Sequence, residues 1–141
     1  MEENKTIVRR AIEGFLNSGD PALADELFAP DYADNNPSNP EMGGLENIKR
    51  SVADWHRAFP DTVNEVREIL AEGDLVAARW VTRGTHRGEF MGIPSTGNRI
   101  EVTSSGIFRI EDGKIAESWD HFDALGMVRQ LGATVSPGGA R

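Results

Sequence analysis

Residues 117–123 read ESWDHFD, which sets Glu117, Asp120, His121 and Asp123 among Trp119 and Phe122. So many ionisable groups beside large apolar ones suit acid–base work. A carboxyl whose pKa is lifted by dry walls can both take a proton and later return it. In a regular strand Trp119, His121 and Asp123 share one face, while Asp120 takes the other. Only one of the two aspartates then enters a pocket. Asp123 is the leading candidate, with Phe122 and Leu125 as its dry surroundings; Asp120 is the rival, expected toward solvent. Two alternatives stay open. Asp123 also sits where it can cap a short final helix, and a single β-bulge exchanges the two faces.

His86 closes the segment LVAARWVTRGTH and opens a Gly-rich stretch, RGEFMGIPSTG. At a strand end it can polarise a carbonyl or share a proton with Asp123, or simply hydrogen-bond at the surface. His121 ranks below it, and His56 falls off the apolar stripe of its helix and is expected at the surface. Trp55, Phe59, Trp80, Phe90, Met91 and Trp119 are candidates to line a pocket for a flat apolar ligand, although each alone reads as ordinary core. Tyr32 is a candidate phenol for a substrate oxygen. Three scattered histidines and no cysteine offer no zinc set. There is no GxSxG elbow, and RGEFMGIPSTG lacks the Walker lysine and opens no helix. Neither a metal site nor a phosphate cradle is expected.

The elements that must hold these residues follow from periodicity. Ile7, Val8, Ala11, Ile12, Phe15 and Leu16 recur at helical spacing over 4–17, and NSGD stops that helix with Gly19 as its cap. DPALADELF predicts a short second helix, with Asp20 capping and Pro21 at the first position. Residues 29–44, APDYADNNPSNPEMGG, predict a loop long enough to be functional or mobile. Leu45, Ile48, Val52, Trp55 and Phe59 form the stripe of a third helix that ends at Pro60. Alternation then predicts four strands, with turns at Glu72-Gly73-Asp74 and at Asp112-Gly113, and a last short helix ending at Gly132. Helices first and an antiparallel meander after them predict an α+β fold, with helices on one face of a curved sheet around one cavity. Residues 1–132 are expected to form one domain and 133–141 a frayed tail.

The 141-residue chain carries a net charge of −8, from 23 acidic and 15 basic residues. Its basic residues are scattered, which argues against nucleic acid and anionic membrane as partners. With 38% hydrophobic and 27% charged residues it reads as folded. No apolar run approaches the ~20 residues of a membrane span. MEENKTIVRR has no secretory character, and the lack of cysteine suits the cytoplasm. A neutral or weakly polar small molecule remains as the expected partner.

YADNNP, AFPD, GTHRGEFMGIPSTG, IFRIEDGKIAESWDHFD and LGMVRQLG occur in the order seen in SnoaL-like polyketide cyclases, also called predicted ester cyclases. From about Tyr32 to Gly132 the chain resembles that family. The resemblance implies the nuclear-transport-factor-2-like cone, an α+β barrel with one internal cavity that usually dimerises through its sheet. It also implies a cofactor-free intramolecular aldol condensation, in which a cavity carboxylate moves the proton. Here that carboxylate is read as Asp123 supported by His86, with Tyr32 and Asn35 orienting a small apolar carbonyl compound. Two positions depart from the family. Asn35 stands where a His is common, and it can only orient or hydrogen-bond; Ser95 replaces the second proline of GIPPTG, a change in loop stiffness. The same fold carries isomerases, dehydratases and epoxide hydrolases. The hydrolases need an Asp–Arg–Asp set, for which Arg79 or Arg109 with Asp120 or Asp123 qualify. A non-catalytic ligand-binding or dimerisation module is the remaining class, and Asn35 favours it slightly.

Overall fold

The structure, a computed structural model, describes residues 2–35 and 44–134. Helix α1 runs Glu2–Arg9, widens into a π-helical stretch over Arg10–Phe15 and closes with the turn Leu16–Ser18. It buries Val8, Ala11, Ile12 and Phe15 against the sheet, and Gly19, at φ 69°, stops it in the left-handed region. Helix α2 spans Pro21–Leu27, with the Asp20 carboxylate accepting from the Ala22 amide at 3.0 Å. Helix α3 spans Gly44–Ala58 and helix α4 Ala124–Gln130.

Strands β1 (Phe28–Asp34), β2 (Val63–Glu72), β3 (Leu75–Thr85), β4 (Arg99–Glu111) and β5 (Lys114–Phe122) form one sheet in the order β1-β5-β4-β3-β2. The hydrogen bonding does not close into a ring, so the helices complete the cone. Strands β2 to β5 are the antiparallel meander that alternation predicts. β1 corrects one expectation: residues 29–34 are a strand rather than loop. It lies parallel to β5 at the sheet edge, pairing Phe28 with Ile115 and Asp34 with Ser118. Phe28 and Tyr32 are buried while Asp31 faces solvent. An edge strand tolerates Pro30 and an irregular register, which is why its composition reads as loop. The rest of that predicted loop, 36–43, and the tail from 135 lie outside the described residues.

One irregularity decides what faces inward. The β4–β5 hairpin turns at Asp112 and Gly113, whose φ values of 52° and 77° are those of a type I′ turn. Ile110 pairs with Ile115, but Arg109 pairs with Glu117, so two steps on β5 oppose one on β4. This is a β-bulge at Ile115–Ala116, and both residues are buried. Beyond it Ser118, Asp120 and Phe122 turn inward, and Glu117, Trp119 and His121 outward. Among the described residues no helix is long and apolar enough to cross a membrane.

Candidate active site

Between α3 and the inner face of the sheet lies a cavity of about 300 Å³. Its walls are Ile48, Val52 and Trp55 from α3, Trp80 from β3, Phe90 from the loop after β3, and Phe122. Polar groups enter at few points, chiefly Asn64, Thr82, Ser104 and Asp120. Asn64 and Thr82 are tied to each other by a 2.6 Å hydrogen bond from the Thr82 hydroxyl. Asp120 is different: no described residue donates a hydrogen bond to its carboxylate.

Asp120 sits opposite Gly106 on β4. A Cβ at position 106 would lie 2.8 Å from the Asp120 Cβ, so the glycine leaves the room that the aspartate side chain occupies. Burial lifts the Asp120 carboxyl to about 6; the negative charge of Asp34 on β1 adds to the rise, and His121 offsets part of it. The Tyr32 hydroxyl shares a short hydrogen bond with the Ser118 hydroxyl, and both residues are buried. Burial also raises the Tyr32 phenol, which keeps it a neutral donor.

The expected inward position of Asp123 is not what the structure shows. The residue lies past the end of β5, is exposed, and caps α4 by accepting from the Gly126 amide at 2.9 Å. Asp120, expected toward solvent, lines the cavity instead. The bulge is the physical cause, because it inverts the alternation for the rest of β5. Trp119 and His121 do share a face, but it is the outer one; Trp119 is 37% exposed there. Neither neighbour gives Asp123 the dry surroundings expected: Leu125 is exposed, and Phe122, 43% exposed, borders the cavity that Asp120 lines.

His86 is fully buried but does not line the cavity. Its ring stacks on Phe59, and its Nδ1 accepts from the Thr96 amide at 3.2 Å, which assigns the proton to Nε2. Its backbone joins Asn98 and Gly97, so the histidine fastens the loop that follows β3. That loop delivers Phe90, which meets Trp55 and Phe59 edge-on. Phe59 itself is core behind Trp55, and Met91 points away, 59% exposed. Asn35 does not line the cavity: it is exposed, donating to the Glu117 carboxylate and the Ser118 carbonyl. His56 is half-buried rather than at the surface, bonded to the Leu16 carbonyl.

Asn64, Thr82 and Ser104 are polar cavity residues that sequence reasoning missed, as it missed Ser118 beneath Asp120 and Gly106 opposite it. Inverting the alternation after residue 116 would have found Ser118, and the glycine facing Asp120 across the hairpin was a second signal. The Asp–Arg–Asp set fails: Arg79 pairs with Glu68, and Arg109 with Glu111 and Glu117, all outside the cavity.

A half-open α+β cone over an apolar cavity, with a carboxylate in its wall that no described residue hydrogen-bonds, has the form of a small-molecule site. The chain belongs to the SnoaL-like polyketide cyclase family, whose model matches residues 6–131. It is 34% identical over 131 residues to an aklanonic acid methyl ester cyclase of Streptomyces peucetius, covering 89% of this chain and 88% of that one. Over 121 residues it is 34% identical to the nogalonic acid methyl ester cyclase of Streptomyces nogalater, covering 83% and 89%. Among solved structures, TsrD from Streptomyces laurentii superposes with a TM-score of 0.86 at 32% identity, covering 94% of this chain and 97% of that one.

Proposed function

We propose that the protein closes a carbon ring in a polyketide-derived carbonyl compound by intramolecular aldol addition, with Asp120 as the acid–base group. The carrying observation is the Asp120 carboxylate, raised to about 6 and without a hydrogen-bond donor among the described residues, in the wall of an apolar cavity. Such a group is ionised near neutrality yet basic enough to take a proton. Asp120 removes a proton from carbon next to one carbonyl, and the C–H electron pair becomes an enolate. The enolate carbon attacks a second carbonyl of the same molecule and forms the new C–C bond. The proton on Asp120 then passes to the resulting alkoxide. No atom is gained or lost, and no cofactor is called for. Trp55, Trp80 and Phe90 suit a flat unsaturated skeleton.

The relatives' names supply the test substrate, aklanonic acid methyl ester. Turnover should give a product of unchanged mass and shifted chromatographic retention. Asp120→Asn should lower kcat by about a thousandfold or more with the fold intact by circular dichroism. Turnover retained in D120N removes Asp120 from the mechanism.

We further propose that the outer face of the sheet meets a second copy of the chain. Leu70, Ile107 and Trp119 are 69%, 45% and 37% exposed on that face, an apolar strip that a partner would cover. Light scattering should report a dimer, and Ile107→Asp a monomer; a wild-type monomer refutes it.

A further inference from the structure

Asp120 borders two spaces. Besides the main cavity it lines a niche of about 50 Å³ between β1, β5 and α1. Leu16, Ile48 and Trp80 also border both, so the two spaces adjoin beside Asp120. The niche is too small for a carbon ring, but one oxygen atom or water needs only ~10–15 Å³ of it. Its other polar lining is the Tyr32 and Ser118 hydroxyls. Those two groups own one O–H each and share a single hydrogen bond, so one O–H remains undirected. Neither makes another side-chain hydrogen bond among the described residues. A phenol is the stronger acid of the two, which favours Tyr32 donating to Ser118 and leaves the serine O–H free to donate.

We propose that the niche is an oxyanion site, in which Ser118, polarised by Tyr32, donates a hydrogen bond to the carbonyl oxygen that becomes negative when Asp120 removes the neighbouring proton. This rests on Asp120 acting as the base. The charge arises when the C–H electron pair moves into the enolate, and the serine proton stays on serine throughout. When the enolate carbon attacks the second carbonyl, the charge leaves the niche for the new alkoxide, which Asp120 protonates. The base and the donor thus sit at adjoining atoms of one substrate fragment, as enolate formation requires.

4-Nitrophenolate tests this without turnover, because it places negative charge on an oxygen at the edge of a flat ring. Asp120→Asn removes the repelling carboxylate. D120N should bind the phenolate saturably and lower the ionisation pH of the bound phenol. Adding Ser118→Ala should weaken binding by about tenfold or more, and adding Tyr32→Phe by less, since that variant keeps the serine donor. A purely structural role for either residue leaves the ionisation of bound phenol unmoved. Equal affinity in D120N and D120N/S118A overturns the proposal, as does no saturable binding by D120N. On otherwise wild-type protein, S118A should lower kcat about a hundredfold with KM little changed. Turnover by D120N sinks the acid–base assignment alone, leaving the phenolate result to stand by itself.

Discussion

Glu117 and Asp120 lie three residues apart on one strand, and the two faces of the sheet treat them in opposite ways. On the outer face Glu117 accepts hydrogen bonds from Arg109 at 3.1 Å and from Asn35 at 3.1 Å. Glu68 and Glu101 are likewise held by Arg79 and Arg83. These donors keep the Glu117 and Glu68 carboxyls below the usual carboxylate range. On the inner face Asp120 meets apolar walls and the like charge of Asp34, and its carboxyl rises to about 6. Residue type does not separate the two. Desolvation and the absence of a donor among the described residues do, and these are the conditions that suit the proton exchange proposed for Asp120.

The largest effect should come from inverting the faces past the bulge. Inserting one alanine between Ser118 and Trp119, beyond the buried Ile115, Ala116 and Ser118, turns Trp119 and His121 inward and Asp120 outward. Such an exchange drives an indole into a filled core and takes the proposed base out of its cavity. Expected results are complete loss of turnover and destabilisation of several kcal/mol, read by denaturant titration. An active, stable insertion variant contradicts the facing assigned to Asp120.

Gly106→Ala sharpens the comparison at a single atom. The new Cβ lands 2.8 Å from the Asp120 Cβ, inside any normal contact, so the aspartate must shift. A catalytic group displaced by about an ångström loses on the order of a hundredfold in rate. kcat/KM should fall by roughly that factor, with ~1–3 kcal/mol of stability lost to overpacking.

This part of the site also marks where the sequence stopped being legible. Helical stripes and strand alternation located all four helices and the four meander strands, because burial imposes those periods directly on residue choice. The Asp112-Gly113 turn was legible for a similar reason, since positive φ at both positions leaves little choice. What was not legible is the bulge. Ile115 and Ala116 are both apolar and both buried, so composition carries no mark of the extra residue, yet every facing after it is inverted. The edge strand β1 was hidden as well, because Pro30 and its polar neighbours are tolerated where one side of a strand has no partner.

Titration separates the faces more gently. With the base in its carboxylate form required for proton abstraction, kcat/KM should rise with pH along a limb centred near 6 and level off above it. Stability should run the other way. The folded value lies above the ~3.9 of an unfolded aspartate, so between about pH 4 and 6 the folded state holds more protons than the unfolded one. Unfolding free energy attributable to Asp120 therefore falls across that window, by on the order of 1–3 kcal/mol, and stays lower above it. D120N has no such pH dependence at this position. Its advantage over wild type should grow from pH 4 to pH 8 in thermal melts, and an unchanging difference contradicts the buried, unpaired state of the group.

The smallest effect belongs to the aspartate whose position in the sequence looked most catalytic. Asp123 holds the first turn of α4 through the Gly126 amide at 2.9 Å, and α4 buries Met127. Removing the cap with Asp123→Ala leaves that amide to water and should lower stability by ~1 kcal/mol. Because the side chain is exposed and lies outside the cavity, kcat and the pH limb near 6 should stay within a factor of two or three of wild type. A loss in D123A approaching that of D120N would mean that Asp123 reaches the substrate in the bound state, and the inner and outer roles assigned to the two aspartates would then have to be merged.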